Sequence, residues 1–168
     1  MDFYLSQFFS FVAWVILIIS FWKNKNDRVL YLQVISCLFF ALNYILIGAW
    51  TGLFVVLFEM IRDCLYIKFD DDKRTFLCTI PIYIIIGILW YDGILSLFSI
   101  VASINDGYSL IYKGNKLIFL AIITYALWLV YDIACHNYVN EVMEIGVIIS
   151  NIVILLRGNR DNAIMRRS

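Results

Sequence analysis

A series of seven hydrophobic runs constrains the fold of this chain more than any other feature. The runs are Ser6–Trp22, Val29–Ile47, Leu53–Ile67, Thr75–Tyr91, Ile94–Tyr112, Leu117–Ala134 and Val142–Leu156. A helix needs roughly 17–25 mostly apolar residues to cross a bilayer, and in hydrocarbon a helix satisfies its own backbone hydrogen-bonding groups. The alternating pattern of a membrane β-barrel is absent from the sequence. The runs therefore predict an all-α, polytopic membrane protein with seven transmembrane helices.

The composition agrees with this prediction and excludes several other classes of protein. Hydrophobic residues make up 63% of the 168 residues and charged residues make up 15%, whereas soluble domains have about 45–50% and about 25%. A soluble protein of this size could not bury so much apolar surface in its own core. The 13 basic and 13 acidic residues give a formal net charge of zero. We therefore expect the lipid bilayer as a partner, and no nucleic acid.

The positions of the basic residues test the count of seven spans. All 13 lie after spans one, five and seven or near the junction of spans three and four: Lys23, Lys25, Arg28, Arg62, Lys68, Lys73, Arg74, Lys113, Lys116, Arg157, Arg160, Arg166 and Arg167. The breaks Gly48–Gly52, Asp92-Gly93 and Cys135–Glu141 contain none. Because Lys and Arg collect on the cytoplasmic side of membrane proteins, we expect the N-terminus outside and the C-terminus in the cytoplasm.

The chain also contains signs of an internal repeat. Phe9–Ala13 is similar to Phe98–Ala102, and Phe21–Asn26 is similar to Ile111–Lys116, while the fourth run has no counterpart. We interpret this as a 3+1+3 plan within one membrane domain, residues 1–168. Its parts are a first three-helix bundle (1–72), a linker helix (73–93) and a second bundle with a short basic tail (94–168). The single helix between the trios gives both the same orientation, as in parallel-repeat transporters. The alternative is that any two trios of apolar helices look alike.

Polar and aromatic motifs occur along most of the chain: Asn43–Gly48, Glu59–Arg62 and Trp128–Asp132, followed by Glu144, Asn151 and Arg157. These motifs resemble those of a known family, the YgjV-type bacterial inner membrane proteins. The resemblance implies a multi-pass protein of the bacterial cytoplasmic (inner) membrane. It also implies an architecture related to the SWEET, SemiSWEET and PQ-loop (MtN3-like) transporters and to the vitamin transporter PnuC. The Pro-Gln pair of PQ-loop proteins is absent from spans one and five.

Ionisable residues inside the predicted spans are the main functional signal. A charged side chain at the centre of a bilayer costs roughly 2.5–3.5 kcal/mol, so we expect it to face protein or water. Span three carries Glu59, Arg62 and Asp63 on one helical face, and span five carries Asn105 and Asp106. Asp106, as a lone carboxylate, is a candidate proton or cation site. The alternative for these charged residues is a structural salt bridge, such as one between Asp106 and Arg62.

Aromatic and amide side chains add to the candidate site. Trp128 and Tyr131 share a face of span six, and Asn43 follows polar residues on one face of span two. Aromatic faces with hydrogen-bonding neighbours suit sugars, nucleosides and other ring-shaped substrates, although Trp and Tyr are also ordinary at membrane interfaces. The resemblance to SWEET-like transporters assigns Asn151 to a central pocket. The alternative for Asn151 is an interhelical hydrogen bond, which is worth about 0.6 kcal/mol.

These observations predict a SWEET-like transporter of a small polar solute, such as a sugar, nucleoside, vitamin or related metabolite. We expect alternating access between the two bundles, without catalytic residues, metal or cofactor, and a homodimer as one option. The predicted substrate-binding residues are Asn43, Glu59, Asp63, Asn105, Asp106, Trp128, Tyr131 and Asn151. The alternative is a non-transporting membrane module: a sensor, a partner subunit or an immunity-type protein. A membrane enzyme depends on the acidic run Asp70-Asp71-Asp72, which neighbouring basic residues make more typical of a solvated loop.

Overall fold

The computed structural model describes residues 2–21, 26–68 and 72–165. These residues form seven helices: α1 (Asp2–Phe21), α2 (Asn26–Ile47), α3 (Trp50–Lys68), α4 (Asp72–Leu89), α5 (Ser96–Ser109), α6 (Asn115–Ala134) and α7 (Tyr138–Met165). The described part of the chain contains no strand. The predictions of an all-α fold and of seven helices are therefore confirmed. The basic residues Lys23 and Lys25 and the acidic residues Asp70 and Asp71 lie outside the described residues.

Three short turns connect helices at one end of the molecule. α2 ends where Gly48 adopts a φ of +74°, which lets the Ala49 N–H return to the Tyr44 carbonyl at 3.0 Å. A residue with positive φ is the usual way to stop a helix, and glycine takes this conformation without strain. His136 (φ +55°) does the same at the end of α6, where the Asn137 N–H returns to the Asp132 carbonyl. Gly93 (φ +94°) lies in the α4–α5 turn, where its carbonyl accepts from the Ser96 N–H at the start of α5. We call this end of the molecule the turn end. We call the opposite end the basic end, because the Lys and Arg residues lie in the sequence near the helix connections of that end.

The helices differ in how well each could cross a membrane alone. The stretches Asp2–Ser20, Asn115–Ala134 and Tyr138–Arg157 are long and apolar enough to do so, and Tyr31–Ile47 is a shorter apolar stretch. α5 has only 14 residues, or roughly 21 Å at 1.5 Å per residue. It is shorter than the predicted run Ile94–Tyr112 because turns occupy both ends of that run. By length and composition alone, three of the seven described helices are candidate membrane spans.

The helices pack as two rows of three. α2 lies between α1 and α3, and α6 lies between α5 and α7. The rows meet along two seams, α1 against α7 and α3 against α5, while α4 packs beside the second seam against α3 and α5. Within the described helices, α1 and α3 do not pack against each other, so each trio is a row rather than a closed bundle. The space between α2 and α6 is left for the site.

The exterior of the molecule is rich in apolar side chains, and its interior holds polar side chains as well as an apolar core. Large apolar side chains such as Phe8, Ile88 and Leu156 are more than half exposed. By contrast, Asn43 and Asp132 are fully buried in the interior. So many exposed large apolar side chains indicate contact with another apolar phase. The arrangement suits a protein whose outer surface is covered by lipid and whose polar groups face one another.

Candidate functional site

A cavity of about 120 Å³ lies between the two rows of helices. Five aromatic side chains form much of its wall: Trp14, Phe40, Tyr44, Tyr125 and Trp128. The rings contact one another, with the Tyr44 and Trp128 centroids 6.0 Å apart and the planes inclined by 24°. The ring centroid of Trp14 lies 5.9 Å from that of Phe40 and 6.0 Å from that of Tyr125. The wall therefore offers flat apolar surface from three different helices.

Charged side chains form another part of the wall. Among the described residues, four acidic side chains, Glu59, Asp63, Asp106 and Glu144, line the cavity together with a single cationic one, Arg62. They come from α3, α5 and α7, so both rows contribute. The described residues contain no cluster of three or more His, Cys, Asp or Glu side chains that could hold a metal ion. The cavity therefore combines an acidic surface with an aromatic one.

Arg62 connects the two rows across the α3–α5 seam. Its Nη2 lies 3.0 Å from Asp63 Oδ1 and 2.7 Å from Asp106 Oδ2, and its Nη1 donates to the Ser103 carbonyl at 3.2 Å. The Ser103 hydroxyl in turn donates to Glu59. The Arg62 and Asp63 side chains are 3% and 5% exposed, whereas Asp106 is 35% exposed. Arg62 thus compensates buried charge, and Asp106 is one of its two ion-pair partners rather than a lone carboxylate.

A second polar cluster surrounds Asp132 on α6. Its carboxylate accepts hydrogen bonds from Tyr44 (3.1 Å), Asn137 (2.9 Å) and Asn140 (3.2 Å). The carboxyl group of Glu144, on α7, lies next to it. No Lys or Arg is paired with either acid among the described residues. The cluster is held by neutral donors, in contrast to the one around Arg62.

Hydrogen bonds join the helices at the turn end. Asn43 and Asn137 bond to each other through both amide groups, with Asn137 Nδ2 2.8 Å from Asn43 Oδ1. The Gly52 N–H donates to the Tyr131 hydroxyl of the other row at 2.8 Å. The Thr51 hydroxyl donates to the carbonyl of Trp90, which follows α4. Asn43, Asn137 and Thr51 are fully buried. The turn end is therefore closed.

The basic end of the cavity is more open. The lining residues that lie toward it, Leu17, Gln33, Asp106 and Leu110, are all partly exposed. They belong to the last turn of α1, the first half of α2 and the end of α5. The described part of the chain thus gives the cavity access from one end only.

The structure brings half of the predicted site residues to the cavity: Glu59, Asp63, Asp106 and Trp128. Asn43 and Tyr131 lie instead in the closed turn end. Asn105 turns away and bonds to the Leu120 carbonyl (2.8 Å) and the Thr124 hydroxyl (2.9 Å) on α6. Asn151, on α7, is half-buried and does not line the cavity. These four side chains therefore do not line the cavity, because the orientation of their helices directs them away from it.

Several lining residues were missed by the sequence analysis. Asn140 was placed in a turn, yet it lies in the first turn of α7 and accepts a hydrogen bond from the Trp14 indole at 2.9 Å. Tyr44 and Tyr125 carried no distinguishing signal among eleven tyrosines. Glu144 was named among the motif residues of the seventh run but was not assigned to the site.

Comparison with protein families gives one match. The family model of the bacterial inner membrane proteins called Imp-YgjV matches residues 4–162, nearly the whole chain. Neither the curated proteins nor the solved structures contain a match. A relationship to SWEET or PQ-loop transporters is not shown by these comparisons. The apolar exterior, the candidate spans and the extent of the match lead to one assignment: the chain belongs to the Imp-YgjV family and is a protein of the bacterial inner membrane.

Proposed function

We propose that this protein is a seven-span carrier that moves a small polar solute across the inner membrane by alternating access. The observation that carries the proposal is the charged cavity between the two rows, which is accessible from the basic end and closed at the turn end. Charged groups within a membrane usually mark a substrate or ion pathway because their burial is costly. A cavity with one accessible end is what one state of a carrier requires.

The pattern of helix contacts supports a 3+1+3 repeat. If α1, α2 and α3 correspond to α5, α6 and α7, then the seam α1–α7 corresponds to the seam α5–α3. Both seams are present, and the middle helix of each row packs on both of its row neighbours. α4 has no equivalent. Carriers built from such repeats bind substrate between the halves and alternate by rocking one half against the other, which is the SWEET-like mechanism that we propose.

The direction of access follows from the basic residues. If the basic end faces the cytoplasm, as the distribution of Lys and Arg predicts, the structure is an inward-facing state with the N-terminus outside. Opening toward the outside would then require the Asn43–Asn137 and Gly52–Tyr131 bonds to break. Because both rows belong to one chain, this mechanism does not need the homodimer that the sequence analysis left as an option.

A non-transporting module, such as a sensor or a partner subunit, is the second candidate function. The dense hydrogen bonding at the turn end favours it, since a permanently closed end would allow ligand binding but no passage. The two candidates differ in whether the cavity ever opens at the turn end.

The native Cys37 provides the test because it lies on the cavity wall. Cys64, Cys78 and Cys135 would be replaced by serine, and an impermeant thiol reagent would be applied to right-side-out and to inside-out vesicles. A carrier exposes Cys37 to both faces in turn, so we expect labelling in both preparations. Labelling from one face alone would contradict the carrier. The matched control is Ser99→Cys in a protein without other cysteines, since Ser99 is fully buried and away from the cavity.

A further inference from the structure

The charge on the cavity wall is unbalanced. Arg62 is ion-paired to Asp63 and Asp106, and its positive charge cannot also neutralise the remaining acidic side chains. Among the described residues of the wall, four acidic side chains and one arginine leave an excess of acidic groups. In a medium of low dielectric constant, such an excess favours occupation by a cation. The excess alone does not define a site, because a group of acidic residues can also be satisfied by neutral donors.

Glu144 supplies the second observation. It is only 3% exposed, it lines the cavity, and its Oε2 has no hydrogen-bond partner. An unpartnered buried carboxyl oxygen costs free energy, about 1–3 kcal/mol or more for a charged group. The ionisable groups near it are Asp132 and Tyr125 on α6, Tyr44 on α2 and Glu141 on its own helix. None of these is a cation, so the position opposite Oε2 suits a donor carried by a ligand.

The aromatic wall narrows the chemical class of that ligand. Trp14, Tyr44, Tyr125 and Trp128 line the same cavity as Glu144. Organic ammonium groups are attracted to the faces of such rings, most strongly where water is excluded. A hydrated metal ion gains little from apolar rings and prefers several oxygen ligands. Rings together with one free carboxyl oxygen are therefore better suited to an organic cation than to an inorganic one.

The size of the cavity sets an upper limit. A closed cavity of about 150 Å³ accepts benzene. This cavity has about 120 Å³ but is open at the basic end, so a ligand with one ring would extend partly into the opening and a larger one would not fit. We propose that the solute is a small organic cation, of the size of a single-ring primary amine, whose ammonium group binds Glu144 and whose apolar part packs on the aromatic wall. This inference rests on the proposed function, because it names the class of solute that the carrier would move.

Three probes of one shape test the proposal. Benzylamine is cationic, benzyl alcohol is neutral and benzoate is anionic, and all three carry the same ring. Binding to the purified full-length protein would be measured by thermal shift and by tryptophan fluorescence, since Trp14 and Trp128 lie on the wall. We expect benzylamine to bind at least tenfold more tightly than either of the others. Equal binding of the three, or a preference for benzyl alcohol or benzoate, would overturn the proposal.

Two matched variants locate the charge recognition. Glu144→Gln should lower the affinity for benzylamine at least tenfold and leave that for benzyl alcohol within about twofold. Glu141→Gln makes the same change one turn away, off the cavity wall, and should change neither. A Glu144→Gln protein that keeps full benzylamine affinity would contradict the assignment. If the Glu144→Gln variant does not fold, the order of affinities of the three probes for the unmodified protein still tests whether the site prefers a cation.

The inorganic alternative and the carrier itself are tested separately. Sodium and magnesium chlorides are added alone, and stabilisation by either salt that matches benzylamine would show an inorganic cation site and overturn the proposal. Labelling of Cys37 from both membrane faces without a preference for benzylamine would reject the organic cation and leave the carrier. Labelling from one face with a clear preference for benzylamine would reject the carrier and leave the cation site.

Discussion

The substitution Arg62→Gln removes the only positive charge on the described cavity wall while keeping a side chain that can donate hydrogen bonds. Arg62 makes three ionic contacts: Nε and Nη2 to Asp63 Oδ1 at 3.1 and 3.0 Å, and Nη2 to Asp106 Oδ2 at 2.7 Å. The Arg62 and Asp63 side chains are almost completely buried. After the substitution, Asp63 would be a buried charge without a counter-charge.

The expected loss follows from this burial. Removing one partner of a buried ion pair costs about 3–5 kcal/mol, because the other charge is left uncompensated. Asp106→Asn removes one contact from a side chain that is 35% exposed, and we expect a loss of about 1 kcal/mol or less. In a protein of this size each kcal/mol shifts the midpoint of thermal unfolding by about 2–4 °C. Arg62→Gln should therefore lower Tm by roughly 6–20 °C and Asp106→Asn by at most about 4 °C.

The assay is thermal unfolding of the purified variants in one detergent, followed by intrinsic fluorescence. Lys73→Gln serves as the control, since it also removes one positive charge but from an exposed position at the start of α4, and should cost no more than about 0.5 kcal/mol. If Arg62→Gln lowers Tm no more than Asp106→Asn does, Arg62 does not compensate Asp63 as argued here.

Two further predictions concern the turn end and the cavity wall. A Cβ on Gly52 would lie 2.8 Å from Tyr131 Cε1, so Gly52→Ala should destabilise the protein by about 1–3 kcal/mol. Gly146→Ala is the control, because a Cβ added at Gly146 would have no neighbouring atom within 4 Å. This change should be neutral or stabilise the protein by up to about 1 kcal/mol. Equal Tm values for the two variants would count against close packing at Gly52. In the benzylamine assay, Trp128→Leu should lower the affinity for benzylamine several-fold, whereas Asn151→Ala should leave that affinity unchanged. A loss of affinity in Asn151→Ala without a loss in Trp128→Leu would place the binding site nearer to Asn151.

The sequence predicted the number of helices well because burial in lipid is decided by hydropathy, which can be counted along the chain. It predicted their lengths less well where turns are themselves apolar. The run Ile94–Tyr112 contains a helix of only 14 residues, since its first and last residues form turns. Hydropathy does not distinguish an apolar helix from an apolar turn.

The candidate site was only half predictable for a different reason. Glu59 and Asp106 stand out because ionisable groups are rare in apolar runs, and both line the cavity. Asn105 lies next to Asp106 in sequence but about 100° around the helix, and it bonds to α6 instead. Depth in the membrane can be read from sequence position. The rotation of each helix about its axis depends on tertiary packing, which one sequence does not disclose.

The two seams between the rows are hydrogen-bonded at opposite ends, and this limits how the rows can move. The α1–α7 seam is joined near the turn end, where Trp14 bonds to Asn140, whereas the α3–α5 seam is joined nearer the basic end, where Arg62 pairs with Asp106. A straight separation of the rows would have to break both sets of bonds. A rotation about the diagonal through the two joined corners can keep both. Once the Gly52–Tyr131 bond has broken, such a pivot would widen the α3–α5 corner at the turn end as it narrows the α1–α7 corner at the basic end.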